Sequence, residues 1–356
     1  MLGFGALDVE AVQLVLAALR RHFFADSQVP VASSDLVRER AIELARRNKV
    51  LWHTGAVLGA GHWSAAVKSY TAAFALNNSI IAEQLASVSS VMTAEKIAHV
   101  VVKGVPQQLQ IYREICIRPS SDVDILVERE EFLRARDLLV GRGFKLLTPS
   151  LWWWAFLGEQ HLVQFATRQV SVDLHHQLHQ PGVPGFREPA GIFRRAAKMT
   201  LAGVSVPVLE RADIPLLLVI SICKATLSRE TNTGYVTDLF ALLMADAPRS
   251  VNSLLTRAAA ERLLGPARLA LRMLDLLFGT SFLPTGPAKP LEVVDDATLL
   301  AMMMTPEAAS IAWPRRRFLI DAFCDGDSLR AARQLGLVYA SEIAMHLFER
   351  RKAAPV

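Results

Sequence analysis

Two short apolar runs constrain this chain more than anything else in it. The first, Val100-Val101-Val102-Lys103-Gly104, stops on a glycine. The second follows after a helix-sized gap as Ser120-Ser121-Asp122-Val123-Asp124-Ile125-Leu126-Val127. Alternate side chains of a strand point the same way, so Asp122 and Asp124 share one face while Val123, Ile125 and Val127 share the other. Two carboxylates above an apolar underside suit a hard divalent cation such as Mg²⁺. A glycine opening the turn lets a phosphate approach the backbone. Pro106 fits the first turn of a helix over 105–115, where its missing N–H costs nothing.

Around these runs the hydrophobic period changes twice. Residues 7 to about 95 read as helical. Leu14, Leu16, Leu19 and Phe23 form an apolar stripe, a second helix runs over 34–49, and a third region covers 63–92. From 96 the pattern becomes strand (97–103), helix (105–115), strand (122–127), amphipathic helix (129–141) and a short strand (143–147). A strand pair over 162–167 and 169–174, joined by a tight turn, completes it. This predicts an α+β fold: a small mixed-sheet α/β core flanked by N-terminal and C-terminal helical regions. The expected divisions are 1–95, 96–180 and 181–356. The last opens on the linker Gln180-Pro181-Gly182-Val183-Pro184-Gly185, passes a short hairpin over 199–209, and turns helical beyond Asp213 with a loop over 279–290.

Composition narrows the class. The chain has 356 residues, 52% of them hydrophobic, and a mean hydropathy of +0.28, which excludes extensive disorder. No apolar run reaches the roughly 18 residues of a membrane span, and the N-terminus lacks the pattern of a secretory signal. A cytoplasmic location is the expectation. Cys116, Cys223 and Cys324 are odd in number and widely spaced, which reads as reduced, buried thiols rather than disulfides or zinc ligands. The net charge of +5 suits a phosphate-bearing substrate without indicating nucleic acid. The clusters Arg315-Arg316-Arg317 and Arg350-Arg351-Lys352 read as a solvated helix end and a tail.

A third acid completes the pattern. In Val170-Ser171-Val172-Asp173-Leu174-His175 the valines and Leu174 fall on one face, and Ser171, Asp173 and His175 on the other. If this strand neighbours 122–127, three carboxylates converge, enough with substrate phosphates to hold two Mg²⁺ ions. One ion would activate an attacking hydroxyl, and the other would bind a triphosphate and steady the leaving pyrophosphate. Taken alone, Asp173 also reads as an ordinary strand-end cap. The combined features point to nucleotidyl transfer.

Lys103-Gly104, Arg118, Asp122-Val123-Asp124 and Val172-Asp173-Leu174-His175 together resemble the bacterial uncharacterised nucleotidyltransferase family of the polymerase-β-like superfamily, over about 95–245. The resemblance implies Asp122, Asp124 and Asp173 as metal ligands, with Asp173 also as base or base-positioner. It implies Lys103 and Gly104 at the nucleotide phosphates, although Val105 stands where the superfamily carries a serine. It also places a polar residue on a later helix, here Lys224 rather than histidine, and an aspartate on the next, matched by Asp238.

Other candidates keep two readings each. Arg118 is a phosphate or carboxylate clamp, or an exposed loop arginine. Ser121, with Ser120, contacts phosphate or merely shapes a turn. Lys224 meets the triphosphate or the base, or pairs with Asp238. His175 binds substrate or a metal-bound water; His176 faces away. Trp152-Trp153-Trp154 packs core or lines an acceptor pocket. The expected activity is transfer of an NMP group from an NTP, ATP by default, to an unknown hydroxyl or phosphate acceptor, which includes RNA or a modified peptide. The alternative is a non-catalytic nucleotide-binding or scaffold protein.

Overall fold

The computed structural model describes residues 6–164, 170–245, 250–283 and 294–349. The chain is α+β. Its N-terminal helices are α1 (Ala6–Phe23), α2 (Asp35–Arg47), α3 (Leu51–Leu58) and α4 (Ser64–Ala94). Ser34 caps α2 by accepting a hydrogen bond from the Val37 amide, as its position before an acidic first turn favours. The stripe anticipated on α1 is the one it buries: Leu14, Leu16 and Leu19 are in the core and Phe23 packs against it.

The core follows as β1 (His99–Val101), α5 (Val105–Tyr112), β2 (Asp122–Val127), α6 (Phe132–Gly141), β3 (Lys145–Leu146), β4 (Glu159–Gln164) and β5 (Val170–His175). After α7 (Ala190–Arg195) come β6 (Ala197–Leu201) and β7 (Val204–Val208). Among the described residues these strands make one seven-stranded mixed sheet, ordered β3-β4-β5-β2-β1-β7-β6. The hairpin expected over 199–209 forms, and it also extends the core sheet, with Val208 of β7 pairing in parallel with Val101 of β1. The tight turn expected between β4 and β5 lies largely outside the described residues, as do most of the 279–290 loop and the 350–352 cluster.

Two helices differ most from their expected bounds. The helix after Gly104 stops at Tyr112, because Arg113 turns left-handed at φ +61° and caps it. The amphipathic helix begins at Phe132 rather than Arg129.

The C-terminal region is helical: α8 (Ile214–Ser228), α9 (Thr233–Ala245), α10 (Ser250–Ala260), α11 (Leu264–Phe278), α12 (Asp296–Met304), α13 (Arg316–Phe323) and α14 (Ser328–Glu349). No described helix is long and apolar enough to cross a membrane. Arg315, Arg316 and Arg317 are exposed at the start of α13, as read. Cys223 and Cys324 are buried, Cys116 half-buried, and all three are free thiols.

Two cores share the sheet. Below it, Val123, Ile125, Val172 and Leu174 meet Ile81, Leu85, Val88 and Met92 of α4 and Phe132, Ala135 and Leu139 of α6. Above it, Val100, Val102 and Leu126 join the helical core of α1, α8, α9 and α11. The tryptophan run packs rather than opening onto the cavity described next. Trp152 donates from Nε1 to Ser341 O at 2.9 Å, and Trp154 packs against the lower core beneath the Arg129 guanidinium. Trp153 stands edge-on to His161.

Candidate active site

The upper face of the sheet, opposite α8 and α9, opens into a cavity of about 400 Å³. Strand pairing decides what lines it. β2 and β5 run parallel with Asp122 opposite Ser171 and Asp124 opposite Asp173, so the same-facing residues of both strands rise together. Atoms of Asp124, Asp173 and His175 come within 4.8 Å of one another, close enough to share one metal ion. Asp122 lines the same cavity one step outward, accepting from Ser121 Oγ at 3.0 Å.

Residues of β4, which the sequence reading did not single out, fasten this cluster. His175 Nε2 lies 3.1 Å from Asp124 Oδ1, and its Nδ1 lies 3.2 Å from Glu159 Oε2. His161 donates from Nδ1 to Asp173 Oδ1 at 2.6 Å. Glu159 and His161 alternate on β4, and antiparallel pairing sets them opposite His175 and Asp173. The strand read from the sequence began at 162, and β4 starts three residues earlier at Glu159, so both residues fell outside the expected strand.

The charges interlock. Burial alone would lower the His175 pKa, but the contacts with the Asp124 and Glu159 carboxylates outweigh it and bring it up to about 9. Burial would raise Glu159, yet the His175 contact draws it down to about 2. Asp124 is likewise held below the usual carboxylate range: burial opposes ionisation, and Lys103, with Nζ 3.9 Å away, and His175 overcome it. Burial and the charges of Asp124 and Asp173 push Asp122 up to about 6. Repulsion among three acids is what a bound dication relieves, and the oxygens of Asp124 and Asp173 are the donors a hard cation takes. The site fits such an ion.

Basic side chains, hydroxyls and a glycine stand around the acids. Gly104 has φ +74° and ψ −137°, a conformation essentially confined to glycine, and it opens α5 beside Ser120 and Ser121. Pro106 sits in the first turn of α5, as its ring requires. Lys103 and Lys224 both reach the cavity. Lys224 has no ion-pair partner among the described residues, and burial followed by the Lys103 charge lowers its pKa.

The anticipated Lys224–Asp238 pair does not form. Asp238, fully buried on α9, takes Arg118 Nη2 at 2.9 Å and the Tyr112 hydroxyl at 2.9 Å instead. Arg118 is therefore a buried carboxylate clamp whose side chain also forms part of the cavity wall. A guanidinium fork outcompetes an ammonium for such a carboxylate because it delivers several donors in a fixed plane. His176 points away from the cavity, bonded to Trp154 O.

The loop carrying Arg118 to Ser121 is held from outside the sheet. Asn78 of α4 donates to Arg118 O and accepts from Ser120 N, both at 2.8 Å. Asn77 donates to Ser120 O at 2.6 Å, and Gln108 of α5 donates to Arg118 O at 3.1 Å. Two short polar side chains on an otherwise apolar stretch of α4 thus fix the entry to β2.

The family model described as uncharacterised nucleotidyltransferase matches residues 36–279, well over half of the chain and including every residue placed around the cavity above. Among curated proteins, none matches the chain.

Proposed function

This chain belongs to the uncharacterised nucleotidyltransferase family and is a transferase of nucleotidyl groups, and we propose that it moves an NMP group from an NTP, ATP by default, to a hydroxyl or phosphate acceptor with release of pyrophosphate. The observation that carries this reading is the in-register pairing of Asp124 with Asp173 across parallel β2 and β5. Asp124 and Asp173, with Asp122 beside them, are the residues that would hold Mg²⁺. When bound, that ion neutralises the phosphate oxygens and orients them for in-line displacement.

The remaining residues bind and orient. Lys103, Lys224 and Ser121 supply charge and a hydroxyl for the triphosphate, and Gly104 leaves the backbone open to it. Arg118, locked onto Asp238, walls the phosphate side. Asp173 takes the acceptor proton, with His161 and Ser171 fixing its carboxylate. Glu159 orients His175, which in turn positions Asp124.

A second reading is a non-catalytic nucleotide binder. Val105 in place of a serine and the two cations already on Asp124 favour it. Incubation with Mg²⁺ and α-labelled ATP in cell extract separates the two. Label transferred by the wild-type chain and lost in Asp124→Ala and Asp173→Ala supports catalysis. Label persisting in both variants refutes the site, and nucleotide binding without any transfer selects the second reading.

A further inference from the structure

Beside the catalytic cavity lies a second one, of about 350 Å³, to which the reading above gives no task. The two share Lys49, Arg118, Glu230 and Tyr235 as a common wall, so a ligand seated in the second reaches the first. Three separate segments build its far side: the end of α2, the turn between α8 and α9, and the residues following α12. Asn48, 1% exposed, ties them together. Its amide donates to Leu44 O and Met304 O at 2.9 Å, and its Oδ1 accepts from Thr233 Oγ1 at 2.7 Å. Gly234 completes the floor, since a Cβ there would lie 3.1 Å from Asn48 O and 3.2 Å from Lys49 Cβ.

The cavity is cationic once paired charges are set aside. Arg47 is matched by Glu307 at 2.7 Å, and Arg118 by Asp238. Glu230, on the shared wall, has no ion-pair partner among the described residues, acts on Lys224 only through space, and offsets part of the positive charge. That leaves Lys49 and Arg229, which have no ion-pair partner among the described residues; the Arg229 guanidinium lies 5.1 Å from the Trp313 ring centroid. Both residues hold positive φ, +60° and +58°, at helix ends where glycine would sit without strain. A side chain there costs roughly 1 kcal/mol. The helix dipole favours a cation at such an end, but it does not require the two cations to face one cavity.

We propose that this second cavity is the acceptor subsite and that the acceptor carries a phosphate group held between Lys49 and Arg229. The inference rests on the nucleotidyl-transfer reading of the first cavity. A phosphomonoester carries about −1.5 to −2 charge near neutral pH, which two cations match and one would not. Arg229 brings a planar fork and Lys49 a point charge, a complementary pair for tetrahedral oxygens. Tyr235, on the shared wall, offers ring surface to the body of the acceptor between its phosphate and the attacking group.

The test is calorimetric titration of the full chain with inorganic phosphate, with acetate and with Mg²⁺–ATP. It compares wild type, Lys49→Gly and the Lys49→Gly/Arg229→Gly double variant. Glycine relieves positive φ, so melting temperatures are read alongside, and the single variant stands if loss of the Trp313 contact unfolds the double one. The expected result is phosphate binding to wild type that weakens by at least about tenfold in the double variant and part-way in the single one. Acetate binds wild type more weakly than phosphate, and Mg²⁺–ATP affinity, read at a cavity that Lys49 also lines, falls much less than phosphate affinity. Phosphate affinity that is undetectable in wild type or unchanged in the variants overturns the proposal. So does acetate binding as tight as phosphate. Equal loss of phosphate and Mg²⁺–ATP affinity also overturns it, by giving the cavity to the nucleotide. Mg²⁺–ATP affinity undiminished in Asp124→Ala would sink the reading of the first cavity and leave the phosphate result standing.

Discussion

The two faces of the β2–β5 pair are made by the same strands and do opposite work. Below, Val123, Ile125, Val172 and Leu174 are sealed against α4 and α6. Above, Asp122, Asp124, Asp173 and His175 crowd like charges beside counter-charges that only partly balance them. The lower face holds the upper one in register: a slip of one residue would exchange the faces and bury the acids. Within this strand pair apolar packing dominates one side, and electrostatic tension the other.

Substitutions on either face probe that division. The largest expected effect is Asp124→Ala, which lowers label transfer by roughly 10³-fold while far-UV circular dichroism stays near wild type and the melting temperature falls as Lys103 and His175 lose their counter-charge. Unfolding of this variant would show that the upper face also carries the fold. Next is Ile125→Ala, fully buried on the lower face. It loses about 2–5 kcal/mol of stability in denaturant titration, with label transfer retained by the fraction still folded. Glu159→Gln weakens one prop of His175 and lowers turnover about 10–100-fold, as loss of a residue that orients a ligand does. It should shift apparent Mg²⁺ affinity more than ATP affinity, and the reverse pattern would move Glu159 to the nucleotide side.

The smallest effect concerns two buried histidines in unlike surroundings. His175 has two carboxylate partners and a raised pKa. His53 sits among the rings of His22, Phe23, Trp52 and Tyr112 with neither ring nitrogen bonded, and burial lowers its pKa to about 3. Unfolded His53 therefore binds a proton that the folded form refuses between about pH 6.5 and 3. Stability falls as pH drops through that window, by at most about 1.4 kcal/mol per pH unit from this group. A His53→Phe variant should show a shallower acid limb in denaturant midpoint against pH. Parallel limbs would show that His53 is protonated in the fold.

Local periodicity made much of this legible. The alternation in 122–127 fixed which aspartates share a face, and the same rule in 170–175 added Asp173 and His175. Gly104 announced its unusual backbone because the run before it stops there. What escaped depended on distant partners. The 199–209 hairpin looks self-contained, and only the pairing of Val208 with Val101 makes it part of the core. Glu159 and His161 acquire meaning only from the β4–β5 register. Lys224 seemed to need Asp238, but Arg118, far away in sequence, is the stronger claimant. No local signal marks Lys49 or Arg229, whose cavity forms where three loops meet.

Asn78 has a consequence for dissection of the molecule. Every residue proposed to touch nucleotide or metal lies between 103 and 224, yet the segment that aims Arg118 and Ser120 is bolted to α4. A fragment beginning at residue 96 would keep every residue proposed to touch nucleotide or metal and lose the jig that sets them. The minimal working unit therefore starts upstream of its own active-site residues, and portability of the sheet to another scaffold requires a substitute for the Asn77 and Asn78 amides.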